Sequence, residues 1–264
     1  MDTTRQQIAA LERINYEATR AITQATPGLE LHLREDVILT SSDIFPFPDT
    51  THACLLQATP QTVDHLIDEV TAYFRTKGML PAIFVSPACT PADLGERLLQ
   101  RGFMRQETEE AWLALDPLPQ LDLPPAGTIT VARIGPTEAL TFAGIFMTAF
   151  GLPLDFAPAM AQLLIPSLHL PGVYHYLARC EAQPVGICSL ICYQNVGLLG
   201  SAGVIPAYRG SKAIFRLIVK AVQQARQQGV DTLLLQTTAG APLERLLRIN
   251  GFKRAFTRIG YSLS

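Results

Sequence analysis

Nothing in this sequence has the spacing of a disulfide framework or a metal site. Its five cysteines, at 54, 89, 180, 188 and 192, include no CxxC pair. An odd, unpaired set disfavours both a disulfide scaffold and a zinc knot, so free thiols are expected. The five histidines, at 32, 52, 65, 169 and 175, show no HExxH-type spacing, and no metal is expected. Basic runs are equally scarce. Lys and Arg number 21 against 23 Asp and Glu, for a net charge of −2, which argues against a nucleic-acid or anionic-membrane surface. Long apolar runs are missing too. From Ala139 to Ala178 the one formal charge is Asp155, but prolines at 153, 158, 166 and 171 and glycines at 144, 151 and 172 interrupt the stretch. No segment reaches the roughly 20 apolar residues that span a bilayer. The polar N-terminus lacks the basic start and apolar core of a signal peptide. The expected compartment is therefore the cytoplasm, with neither nucleic acid nor membrane as partner.

What is present suits a folded protein: 264 residues, 48% hydrophobic and 17% charged, enough for two modest domains. Four prolines between Asp116 and Gly127 rule out helix and central strand and predict a linker over 117–127. Downstream the pattern reads as strand Thr128–Arg133, a helix Thr137–Phe150, a second helix capped by Asp155, then strands Val173–Arg179, Pro184–Tyr193 and Val196–Val204. Helix Gly210–Gln228, strand Thr232–Gln236, helix Pro242–Ile249 and strand Phe256–Leu263 follow. The fold class is α/β, with a mixed sheet. Within the neutral helical stretch and after it, His169, Tyr174 and Tyr176 are among the few polar groups, and the stretch reads equally as a plain buried helical layer.

The junction Val204-Ile205-Pro206-Ala207-Tyr208-Arg209-Gly210 carries the most chemistry. Pro206 cannot donate to a sheet ladder, so the strand stops there. After Arg209, Ile214, Leu217, Ile218, Ala221, Val222 and Ala225 recur at helical intervals, a helix packed by one face. A helix opening beside Arg209 and Gly210 presents free backbone N–H groups and the positive end of its dipole, a cradle for an anion such as pyrophosphate. These residues resemble the GCN5-related N-acetyltransferase (GNAT) superfamily, whose loop reads V-x-P-x-Y-R-G-x-G-x-G/A. The match holds through Gly210; the two later small positions are Lys212 and Ile214. Ile214 narrows the approach of phosphate to the backbone, while Lys212 supplies a point charge.

The resemblance implies the acyl-CoA N-acyltransferase fold, with acetyl-CoA or another acyl-CoA as co-substrate and a small-molecule or peptide primary amine as acceptor. It implies that Gly203, Val204 and Ile205 pair with the pantetheine arm and that Arg209, Gly210, Ser211, Lys212, Ala213 and Ile214 surround the pyrophosphate. A backbone N–H near Val204 would face the tetrahedral oxyanion. Relatives place a tyrosine as acid four residues before a Gly-Phe pair, and Leu247 stands there. The weak polar substitutes are Ser201, Thr237 and Thr238, each more often a local hydrogen-bonder. A catalytically silent acyl-CoA-binding or protein-interaction module on the same fold fits these departures as well.

Upstream, Ala82–Ser86, Pro91–Gln100 and Arg101-Gly102-Phe103 repeat the strand, helix and Gly-Phe grammar of Leu233–Gln236, Leu243–Ile249 and Asn250-Gly251-Phe252. The expected organisation is a degenerate GNAT-like domain over 1–116, the linker over 117–127, and a complete domain over 128–264. The first has no V-x-P-x-x-R-G segment, so no cofactor site is expected in it.

Overall fold

A computed structural model describes residues 4–48, 50–121 and 127–263. In chain order the elements begin with α1 (Arg5–Ala25), β1 (Leu29–Leu33), β2 (Ile38–Ser42), β3 (His52–Cys54), α2 (Val63–Thr76), β4 (Ala82–Val85), α3 (Leu94–Gln100) and β5 (Met104–Leu115). They continue with β6 (Ile129–Arg133), α4 (Ala139–Phe150), α5 (Ala157–Ser167), β7 (Val173–Cys180), β8 (Gln183–Tyr193), β9 (Val196–Val204), α6 (Ala213–Gln227), β10 (Thr232–Thr238), α7 (Pro242–Ile249) and β11 (Lys253–Ser262). The chain divides into two compact units, Met1–Ala114 with Gln236–Ser264, and Leu115–Leu235.

In the first unit the strand order is β1-β2-β3-β4-β11-β5. β3 and β4 run parallel, joined by α2; β11 is antiparallel to both its neighbours. Side chains alternate along the strands, as a period of two requires. Leu39 and Ile83 pack with Val63, Leu66, Ile67, Val70 and Phe74 of α2 and Leu94 and Leu98 of α3. Their neighbours Ile38 and Phe84 join Ile8 and Tyr16 of α1, with Trp112 and Phe256. α1 starts on a reciprocal cap: Thr4 Oγ1 accepts from the Gln7 N–H and Gln7 Oε1 from the Thr4 N–H, satisfying two end donors at once.

The α1 face of this sheet also buries charge. Arg258 on β11 lies directly across from Glu110 on β5, ion-pairs with it through Nε, and is sandwiched between the Phe84 and Trp112 rings at 4.4 and 4.9 Å. Its Nη1 donates to the Tyr16 hydroxyl (3.0 Å) and stands 3.9 Å from Glu12 Oε1. Because Tyr16 accepts there, its own proton goes to His52 Nε2 at 2.6 Å, and His52 Nδ1–H donates to the Pro48 carbonyl at 2.5 Å. Ser86 donates to Glu12 Oε2. Burial outweighs the distant guanidinium at Glu12, whose carboxyl is held above the usual range.

The second unit has the order β10-β9-β8-β7-β6. β9 and β10 are parallel and the other pairs antiparallel. A Cβ on Gly203 would meet Ala149 and Phe150 of α4 at 2.9–3.4 Å, and one on Gly186 would meet Leu217 of α6 at 3.2 Å. The two helices therefore cover opposite faces of the strands, and the bare backbone lets them approach.

Several boundaries differ from expectation. The expected 128–264 domain includes the last 29 residues, yet Gln236–Ser264 groups with the N-terminal unit, because β11 pairs with β4 and β5. Local patterning carries no information on such a distant partner. The same pairing extends β5 and β11 beyond the expected Glu110–Leu115 and Phe256–Leu263, from Met104↔Ser262 to Ala114↔Lys253. Asp155 does not cap a helix: it sits in a short 3-10 turn, and Phe156 occupies the α5 N-cap. The expected linker runs through 122–126, outside the described residues. Its first part is not free, since the carbonyls of Leu118 and Leu121 accept from Arg226 and Gln223 of α6. α6 starts at Ala213 rather than Gly210.

Candidate functional site

The second unit holds the junction singled out by its sequence. The parallel register of β9 with β10 ends at Leu199↔Leu235. From Gly200 to Val204 β9 continues to pair with β8 (Gly200↔Ser189, Gly203↔Ile187, Val204↔Gly186). Ser201 and Ala202 oppose the single residue Cys188, a bulge in which Ser201 takes φ +49°. Bulges bend a strand and re-aim its groups. The result is a β9 segment whose edge toward β10 lies beyond that register, the kind of edge an extended amide-bearing ligand can pair with.

Next come a 3-10 turn at Pro206–Tyr208 and two left-handed residues, Gly210 (φ +92°) and Lys212 (φ +67°). Gly210 takes that conformation freely; Lys212 does so against a steric cost of about 1 kcal/mol. These reversals delay α6 to Ala213. Lys212 is the N-cap and makes no side-chain cap, so the first-turn N–H groups point out of the helix start without an intrahelical acceptor or a capping oxygen. Ser211 Oγ is shielded from solvent and has no hydrogen-bond partner among the described residues. Ala213 is buried and Ile214 half-buried, Ile214 lying three and four residues before the buried Leu217 and Ile218.

Arg209 is placed differently from a free anion ligand. Its Nη2 donates to the Ala149 carbonyl at 3.0 Å, at the end of α4, where the C-terminal carbonyls attract a cation. It ties the α4 terminus to the loop that leads into α6. Of the weak catalytic candidates, Ser201 lies in the β9 bulge of this unit, whereas Thr237 and Thr238 belong to the other compact unit. Leu247, in the tyrosine position, is fully buried in α7. Of the few polar groups after the helical pair, Tyr174 stacks with Tyr176 at 6.5 Å and lies under the Arg133 guanidinium, while Tyr176 itself is buried.

Residues 144–252 match the model of the Acetyltransferase (GNAT) family. This part of the chain is a GNAT domain. Solved structures share the fold over nearly the full length. A GCN5-related N-acetyltransferase from Kribbella flavida is 15% identical, covering 95% of this chain and 94% of its own, with a TM-score of 0.68. One from Sphaerobacter thermophilus is 17% identical over 88% of this chain and 81% of its own, with a TM-score of 0.58. A tandem GNAT protein from the clavulanic acid biosynthesis pathway is 13% identical over 96% and 93%, with a TM-score of 0.57. No curated protein matches. Among the described residues no group of His, Cys, Asp and Glu is arranged to hold a metal, and no helix is long and apolar enough to cross a membrane.

The first unit repeats part of the GNAT domain's path. β3, α2, β4, α3 and β5 follow the same order as β9, α6, β10, α7 and β11, with a parallel crossover in each. Its opening is sewn shut. Beyond Cys54↔Phe84 the chain bridges again at Gln57↔Thr90: Thr90 N–H donates to Leu56 O (2.9 Å), Ala58 N–H to Thr90 (3.0 Å to Oγ1), and Gln57 Nε2 to Ala88 O (2.7 Å). Groups that would face a pantetheine already have partners. Isothermal titration with CoA should therefore show no site in this unit and no more than one per chain; two equivalent sites would contradict this closure.

Sequence reasoning passed over one polar cluster in the GNAT domain. His175, buried on β7, contacts Ser167 Oγ through Nε2 at 2.8 Å and Ser189 Oγ through Nδ1 at 2.7 Å. Burial, then the nearby Arg133 charge, lowers its pKa to about 4, so the ring is neutral near pH 7. The signal available was weak: a scattered histidine reads as an ordinary surface or core-edge residue, and the two serines stand on other elements.

Proposed function

We propose that this protein transfers an acetyl or other acyl group from acyl-CoA to a primary amine. The observation that carries the reading is the uncapped start of α6, with its free first-turn donors and the unpartnered Ser211 hydroxyl, directly after the bulged end of β9. That arrangement suits a diphosphate followed by an amide-bearing arm. Family membership supports acyl transfer in general; the acetyl donor and the amine acceptor go beyond it. In the reaction the amine nitrogen bonds to the thioester carbonyl carbon, the C–S bond breaks, and the thiolate leaves as CoA. An alkylammonium of pKa about 10.4 must lose a proton first, whereas a thiol of pKa about 8.5 is a tolerable leaving group without a dedicated acid. This is compatible with leucine at position 247. The cytoplasm is the proposed compartment.

The buried Leu247 favours one alternative, a catalytically silent module that binds acyl-CoA. Release of CoA thiol with a panel of primary amines separates the two: turnover supports the enzyme, and tight CoA binding without turnover on any amine supports the silent module. The cradle has its own test. Arg209→Glu should weaken CoA binding at least about tenfold, about 1.4 kcal/mol, because it removes the tie to Ala149 and adds a negative charge beside the diphosphate. The protein should stay folded by circular dichroism. Unchanged affinity would count against the assignment.

A further inference from the structure

The Ser167, His175 and Ser189 cluster leads toward the same opening. Ser167 donates its one proton to the Leu164 carbonyl at 2.6 Å, so its oxygen receives the His175 Nε2–H. A neutral imidazole has one N–H, which leaves Nδ1 as a lone pair that takes the Ser189 proton. With that proton committed, Ser189 Oγ presents only lone pairs to anything else.

Its position in the sheet says what those lone pairs face. His175 pairs with Ser189 and Ser189 with Gly200, so the three form one row across β7, β8 and β9, with side chains on a common face and Cα atoms about 5 Å apart between strands. It is the face that carries α4, since His175 meets Phe142 edge-on at 5.7 Å. At Gly200 the row ends in space: a Cβ there would have nothing within 4 Å, and the residue is exposed. Gly200 is also the first β9 residue past the last β10 pair and the one before the bulge.

We propose that Ser189 is an amine-binding residue: its oxygen accepts an N–H of the incoming primary amine above Gly200 and orients the nitrogen lone pair toward the thioester, with His175 and Ser167 as positioning residues that hold the hydroxyl in its acceptor state. This rests on the acyltransferase reading above. At its far end the cluster terminates on the Leu164 carbonyl, an acceptor with no proton to pass on, so its role is orientation and not relay of the substrate proton.

The experiment uses the full chain and the primary alkyl amine with the fastest CoA release. Ser189→Ala should lower kcat/KM for the amine about tenfold, with the KM for acyl-CoA and the calorimetric affinity for CoA unchanged. Ser189→Cys, which keeps the size but is a weak acceptor, carries the same expectation should the alanine variant fold poorly. His175→Leu should match Ser189→Ala, and His175→Gln, which can keep both hydrogen bonds of the ring, should restore most of that loss. A purely packing role would not separate amine from acyl-CoA kinetics. Amine kinetics unaffected by Ser189→Ala and Ser189→Cys overturn this proposal alone. Absence of CoA release by the wild-type chain on every amine overturns the acyltransferase reading and this proposal with it.

Discussion

Replacing Arg258 by Met should cost the protein about 3–5 kcal/mol, the penalty for removing one partner of a buried ion cluster. The guanidinium is 3% exposed and answers several groups at once: the Glu110 carboxylate, the Tyr16 hydroxyl, Glu12 at 3.9 Å, and the faces of Phe84 and Trp112. Methionine fills much of the volume but leaves the Glu110 carboxylate without its cation and Tyr16 without a donor. The loss is therefore electrostatic more than steric. Urea unfolding should show a lower midpoint at an unchanged slope. Adding Glu110→Gln to Arg258→Met should recover part of the loss, since it removes the charge left behind. A loss below about 1 kcal/mol for the single variant would show that solvent reaches the cluster and screens it.

Moderate acid should destabilise both units through histidine. His52 and His175 are buried neutral, with pKa values of about 3 and about 4 against 6.5 for the free side chain. Burial is the main cause in each, followed by the Arg258 charge at His52 and the Arg133 charge at His175. A folded-state pKa below the unfolded one means that the unfolded chain takes up the proton first. The stability these neutral rings provide is intact above pH 6.5 and lost as pH falls toward the folded-state values. By pH 5 each histidine should cost about 2 kcal/mol. Glu12 acts in the opposite sense. Its raised carboxyl binds a proton in the folded state before the unfolded one does, which offsets part of the His52 effect as pH falls toward 4.5. The paired carboxyls of Glu30, Asp36 and Glu138 are lowered by Lys77, Arg34 and Arg179 respectively, so their contribution disappears only below the ordinary carboxylate range. Denaturant midpoints at pH 7.5 and 5.0 test this, with His175→Gln expected to flatten the response of the GNAT domain. A midpoint indifferent to pH across that interval would mean that the rings are protonated in place.

The GNAT domain was legible because its decisive features are local. Pro206 ends β9 whatever surrounds it, and the three- and four-residue recurrence from Ala213 to Ala225 needs a helix to collect its apolar groups on one face. β9 and α7 lie where that patterning puts them. The start of α6 was misplaced by three residues because φ +67° at Lys212 is a conformation that lysine does not announce. Residues 29–76 yielded no elements in advance, although they contain β1 to β3 and α2. Their strands are three to five residues long, and β2 and β3 are buried on both faces, so the alternation that marks a half-exposed strand is missing.

By itself, then, the sequence determined the fold class, the order of elements after residue 128 and the end of β9 before Pro206, all of which follow from periodicity and backbone constraint over a few neighbouring residues. Only the tertiary structure decided that β11 closes the N-terminal unit, that Thr90 seals the opening beside β3, that Arg209 reaches back to Ala149, and that His175 stands between two serines. Each of these depends on partners from different elements, most of them 30 to more than 140 residues apart, brought together by sheet register or by helices packed on the sheet. Register arises from the sum of many side-chain contacts across strands, and no short window of sequence contains that sum.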